Sequence, residues 1–209
     1  MNRVFLGVTG ASGAPYAARA LEALCEAGCD VGLCVSASGA HVVSHELLAR
    51  GPEPPADAEE VVDELVRRHA DPRRVEVLGL NDMTSRFASG SSLQSAALIL
   101  PCSGSTLGAI ASGNGRNLIH RCADVMLKER RRLVLVPRET PLSPIYLDNL
   151  VSVARAGAVV LPASPGFYTL PQTVDDLVDF VVGKALDALG VSHRLLRRWG
   201  ESAPAESTP

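Results

Sequence analysis

The ten residues GVTGASGAPY at positions 7–16 follow the apolar run VFLGVT (4–9) and lead straight into a helical pattern that begins near residue 14. A strand, a glycine-rich turn and a helix in that order make the first half of a βαβ unit, which needs a parallel strand to return to. Further apolar runs supply it: VGLCVS (31–36), AALILP (96–101), LVLVP (133–137) and AVVLP (158–162). Between them lie helical patterns at about 14–27, 38–49, 59–69, 104–111, 117–129, 143–155 and 173–189. Strands alternating with helices predict an α/β fold of three layers, with a central parallel sheet covered by helices on both faces. The Pro-rich, acidic stretch GPEPPADAEE (51–60) breaks one helix and starts the next, and reads as an elbow. Short connections predict one domain over residues 1–199, whereas GESAPAESTP (200–209) carries no apolar periodicity and is expected to be disordered.

Composition narrows the function. The chain has 209 residues, of which 46% are hydrophobic and 21% charged, enough to bury a sizeable core. A net charge of −3 gives no electrostatic reason to expect nucleic acid or an anionic membrane as partner. No run approaches the ~20 apolar residues of a membrane span, and the N-terminus enters a strand pattern without a secretory leader, so a cytoplasmic location is expected. Five cysteines (Cys25, Cys29, Cys34, Cys102, Cys122) make an odd number in a chain that needs no staples, which predicts reduced thiols. Cys25 and Cys29, and His41 and His45, lie four apart on helices, but no further pair completes a tetrahedral set and no Glu follows His41, so no metal is expected.

The spacing Gly7, Gly10, Gly13 differs from the Gly-x-Gly-x-x-Gly of dinucleotide folds. It is either a tight strand-to-helix turn or a phosphate cradle at a helix N-terminus. A dinucleotide site would also place an acid at the end of the second strand to hold a ribose diol, and Ser36 stands there instead. A mononucleotide such as FMN therefore suits the turn better than NAD. In PCSGSTLGAIASG (101–113), Ser103 and Thr106 either cap the next helix or face a polar ligand. In LVLVPRETPLS (133–143) a buried strand delivers Arg138 and Glu139 at its carboxyl end between Pro137 and Pro141. The two side chains could grip a phosphate and move a proton, or form a salt bridge with each other. Arg130 to Arg132 read as a solvated helix end. Trp199 is either an anchor for the last helix or an aromatic lid.

Three blocks, TGASGAPY (9–16), PCSGSTLGAIASGNGRNLIHRCADVMLKERRRLVLVPRETPLS (101–143) and LPASPGFYTLPQTVDDLVDFVVGKALDALG (161–190), together resemble the UbiX-type flavin prenyltransferases, formerly described as phenylacrylic or hydroxybenzoate decarboxylases. The resemblance runs from residue 3 to about 199. It implies a three-layer flavodoxin-like (Rossmann-like) fold and a homo-oligomer built from trimers, commonly a dodecamer. It also implies an activity that joins the dimethylallyl group of dimethylallyl monophosphate to reduced FMN, at N5 and C6. The product, prenylated FMN, serves UbiD-type decarboxylases. Carried over by residue, it puts FMN against Gly10, Ala11, Ser12, Ser36, Ser103, Thr106 and Arg121. It puts the prenyl phosphate against Lys128, Arg138, Tyr168 and Lys184; on chemical grounds the ring of Trp199 could face the allyl cation. Glu139 then handles protons, and Glu46 is a second carboxylate, contributed by a neighbouring subunit. Position 184 is commonly arginine in the family, and Lys184 keeps the charge without the fork. Two rival functions are an FMN-dependent cysteine decarboxylase and a non-catalytic FMN carrier subunit of an aromatic acid decarboxylase. The first requires a Pro-x-Met-Asn-x-x-Met-Trp clamp where this chain has PASPGFY (162–168), and the second gives no reason to keep Lys128, Arg138, Glu139 and Tyr168 together.

Overall fold

The computed structural model describes residues 3–196; Trp199 and the expected C-terminal tail lie outside the described residues. Six strands form one sheet: β1 (Arg3–Val8), β2 (Asp30–Val35), β3 (Val75–Val77), β4 (Ala96–Cys102), β5 (Arg132–Pro137) and β6 (Val159–Val160). Their order is β3-β2-β1-β4-β5-β6 and every pair is parallel. The helices are α1 (Ala14–Glu26), α2 (Ala37–Glu46), α3 (Ala58–His69), α4 (Gly104–Ala111), α5 (Leu118–Lys128), α6 (Pro144–Ala156) and α7 (Val174–Leu189).

Alternation along the strands builds two cores. On β1, Val4, Leu6 and Val8 face one side, with Leu98, Leu100, Val134 and Val136 of its neighbours, and are covered by α1 and α7 with α2 and α3 beside them. Phe5, Ile99, Leu133 and Leu135 face the other side and are covered by α4, α5 and α6. This is the three-layer, flavodoxin-like arrangement that the sequence predicts. Phe87 tilts onto Phe5 at 5.4 Å between ring centroids, and a side chain at Gly32 would meet its ring at 2.3 Å. Gly32 is thus the price of a phenylalanine in that layer.

Six helices begin on a side chain that accepts a hydrogen bond from their first turn: Ser36, Asp57, Ser103, Asn117, Ser143 and Thr173. The seventh, α1, begins at Gly13, which has no side chain to offer. The sequence reading missed β3. It is only three residues long, sits at the sheet edge with Val77 half exposed, and shows no apolar run.

Candidate active site at the carboxyl edge of the sheet

From β1 the chain crosses to β2 on one side, and β4 adds on the other, so the loops after β1 and β4 part at the carboxyl edge. Such a switch point leaves a crevice where ligands bind in open α/β sheets. Thr9 ties the two sides together beneath it. Its buried hydroxyl donates to the Pro101 carbonyl at 2.7 Å and accepts from the Ser103 N–H at 2.8 Å. The sequence reading passed over Thr9, because the glycines around it carried the motif and nothing in the pattern marks a cross-strand clamp.

Glycine is required at position 10 by packing. A Cβ there would lie 2.4 Å from the Ser38 Cβ, so the loop after β1 and the start of α2 touch backbone to side chain. Gly13 has φ of +130°, a conformation other residues avoid. The open N-terminus of α1 is completed from elsewhere in the same chain: the Glu46 carboxylate accepts from the Gly13 N–H at 2.9 Å and the Ala14 N–H at 2.8 Å. Within the chain, then, Glu46 closes α1.

Two of the expected hydroxyls, Ser36 after β2 and Ser103 after β4, stand at the carboxyl edge, and each also caps its helix. Ser36 accepts from the Gly39 N–H at 3.0 Å, and Ser103 accepts from the Thr106 N–H at 3.3 Å while donating to the Thr106 hydroxyl at 3.1 Å. Capping and ligand contact are compatible, since a hydroxyl oxygen keeps a second lone pair. Cys102, beside Ser103, is no nucleophile: burial pushes its thiol up to about 12, so it stays protonated.

Arg138 and Glu139 leave β5 side by side, but they do not pair. The Glu139 carboxylate accepts from the Thr140 N–H at 3.0 Å, and the Arg138 Nε is buried with no hydrogen-bond partner among the described residues. A buried guanidinium donor without an acceptor is costly, and its lack of a partner fits an anion that the protein itself does not supply. The chain after β6 continues alongside, the Ala163 N–H bonding the Pro137 carbonyl at 3.0 Å, and brings in the loop that carries Tyr168. Tyr168 meets Phe180 edge to face at 5.7 Å, and the Lys184 Nζ lies 6.0 Å from the same ring centroid. The close backbone approach at Gly10, the serines and threonine at the strand ends, and the unpartnered arginine suit a phosphate-bearing mononucleotide such as FMN.

One expected residue stands apart. Lys128 ends α5 just before β5, and Arg138 follows that strand, so they lie at opposite edges of the sheet. A six-residue strand separates them by about 20 Å. Lys128 pairs with Glu129 beside Gly90, in the loop that the Arg131 guanidinium holds through the Ser92 and Gly90 carbonyls. Arg121, in the first turn of α5, donates to the Ala88 carbonyl at 3.0 Å and pairs with Asp124 at 2.7 Å.

The model of the family described as Flavoprotein matches residues 1–186. The chain is 48% identical over 196 residues to the flavin prenyltransferase UbiX of Halalkalibacterium halodurans, covering 94% of this chain and 92% of that protein. It is 38% identical to AnUbiX, solved in complex with FMN and dimethylallyl pyrophosphate, with a TM-score of 0.81 and 97% and 99% of the two chains covered. A dodecameric FMN-dependent UbiX-like decarboxylase from Escherichia coli O157:H7 is 37% identical, with a TM-score of 0.78 and 96% and 100% covered. A peptidyl-cysteine decarboxylase at 16% identity and a TM-score of 0.52 shares the fold alone.

Proposed function

We infer, from the chain's membership of the Flavoprotein family and within it of the UbiX-type flavin prenyltransferases, that it joins a dimethylallyl group to reduced FMN to make prenylated FMN. The observation that carries the reading is the buried, unpartnered Arg138 Nε beside Glu139 at the carboxyl edge. The donor is dimethylallyl monophosphate. Breaking its allylic C–O bond sends the electron pair to phosphate, and Arg138, Lys184 and Tyr168 receive that anion. Bound reduced FMN supplies the electron-rich ring that accepts the allyl group. Closing the ring adds one proton to the alkene as its far carbon bonds flavin C6 and removes one from C6, and the Glu139 carboxylate is the group placed to give and take them. Gly10, Ala11, Ser12, Ser36, Ser103, Thr106 and Arg121 hold FMN, and Glu46 keeps the Gly13 turn in place as the second carboxylate of the site.

Lys128 reaches this site from another copy, because its own Arg138 is a strand length away. That separation and the dodecameric neighbour support a homo-oligomer built from trimers, in which the flavin-binding domain of each chain borrows from the next. Exposed Ile145, Leu147 and Val151 on α6 offer apolar surface for assembly. The five cysteines are free, which suits the cytoplasm, and among the described residues no helix is long and apolar enough to cross a membrane. A UbiD-type decarboxylase receives the product.

The test is anaerobic incubation of the protein with reduced FMN and either dimethylallyl monophosphate or the diphosphate, followed by mass analysis of the bound flavin. A flavin heavier by one dimethylallyl group with the monophosphate is expected. Unmodified flavin with both donors overturns the reading.

A further inference from the structure

A second orphaned polar atom belongs to the same carboxyl edge, where Cys102, two residues before Gly104, pairs with Pro137, the residue before Arg138. Tyr146, in the first turn of α6, is 7% exposed, yet its hydroxyl is buried without any hydrogen-bond partner among the described residues. Its ring lies against the start of α4, where a Cβ at Gly104 would meet it at 3.1 Å, so the ring has little freedom to turn its hydroxyl away. We propose that Tyr146 is a positioning residue for Arg138: its hydroxyl oxygen accepts the Arg138 Nε–H and so aims the guanidinium at a phosphate monoester.

The chemistry fixes the direction of that bond. Nε can only donate, whereas a phenol both accepts and donates, so Tyr146 is the partner that satisfies Arg138 and keeps its own O–H to pass on. The Cys102–Pro137 pairing sets the start of α4, against which the Tyr146 ring lies, beside the end of β5 from which Arg138 leaves. Burial is the main cause that pushes the Tyr146 phenol up to about 12, Cys102 and Glu139 push it the same way, and Arg138 opposes them. At neutral pH the phenol is uncharged, so it orients and does not act as a base. In the free chain the contact is open, and closing it as the guanidinium moves onto an anion satisfies two buried groups at once.

This inference rests on the reading of Arg138 as a phosphate-binding residue. The phosphate monoester could be that of the allyl donor or that of FMN, so the affinities for both are measured separately on the full-length protein. The variants are Tyr146→Phe, Arg138→Ala and the double substitution. Tyr146→Phe keeps the ring against Gly104 and removes an unpaired buried hydroxyl, so it is expected to melt no lower than the wild type. It should weaken one of the two ligands about tenfold. In the double variant the loss should be no greater than for Arg138→Ala alone, because a residue that acts only through Arg138 has nothing left to position. Losses that multiply, or a Tyr146→Phe protein within about twofold of wild type for both ligands, overturn the proposal. If Arg138→Ala itself leaves both affinities unchanged, the phosphate-binding reading of Arg138 falls and the proposal with it. If only Tyr146→Phe is silent, that reading survives and Tyr146 alone is excluded.

Discussion

At position 139 a carboxylate stands next to an arginine and bonds its own following amide instead, which separates two jobs that a salt bridge would have merged. Glu139→Gln keeps shape and hydrogen bonding but loses basicity, so FMN should bind as before while prenylation in a single-turnover anaerobic assay falls by about 10²–10⁴. Arg138→Ala should act on the phosphate instead, costing about 1.5–3 kcal/mol of affinity, or about one to two decades. Lys184→Arg restores a fork at a position whose amine already lies over Phe180, and should leave the enzyme active with donor bound as tightly or more so. A Glu139→Gln protein at the wild-type rate would return the PRE segment to a structural role. That Arg138 and Glu139 follow a buried strand was legible because the apolar run and the two prolines mark its end. Thr9 and Tyr146 were not. A threonine after a strand and a tyrosine in a helix are ordinary in sequence, and only the fold shows that one bridges two strand ends and the other lacks a partner.

At the scale of elements, helix starts were readable because six of them carry their own acceptor, and the exception explains Glu46. α1 begins on a glycine needed for the φ of its turn, so its first amides must find an acceptor in another helix. Glu46 lies at the end of α2, far from Gly13 in sequence, and no local pattern links them. Removing it in Glu46→Ala should destabilise the protein by about 1 kcal/mol, the usual worth of an N-cap, and Glu46→Gln should recover part of that. Thermal or urea unfolding of both variants without ligand measures this. If Glu46→Ala unfolds as the wild type does, the two amide contacts contribute nothing and Glu46 serves only the chemistry. Gly10→Ala probes the adjoining turn. Its new Cβ would collide with Ser38, so the loop must shift, and FMN affinity should fall by more than stability does. The strand β3 shows the opposite limit of legibility, since three residues at an edge are held by pairing with β2 and bury too little to leave a pattern.

At the scale of the whole molecule, the family resemblance puts Lys128 and Arg138 on one phosphate, and the fold sends them to opposite ends of β5. If both residues nonetheless serve one phosphate, the site must be shared between copies, and that has a consequence a single-chain site could not produce. At donor concentrations well below saturation, Lys128→Ala and Arg138→Ala should each lose about one to two decades of activity as homo-oligomers. Co-assembled in equal amounts, they should regain activity: a site that draws Lys128 from an Arg138→Ala chain and Arg138 from a Lys128→Ala chain is intact. Random mixing makes about a quarter of the sites of that kind, because each contributing chain is of the right type about half the time. Prenylation by the mixed assembly near that fraction of the wild-type rate, with no gain when the two proteins are mixed without subunit exchange, places the two residues in one shared site. A mixed assembly no more active than its parents shows that both residues serve the same chain, or that Lys128 serves only the loop it touches beside Gly90.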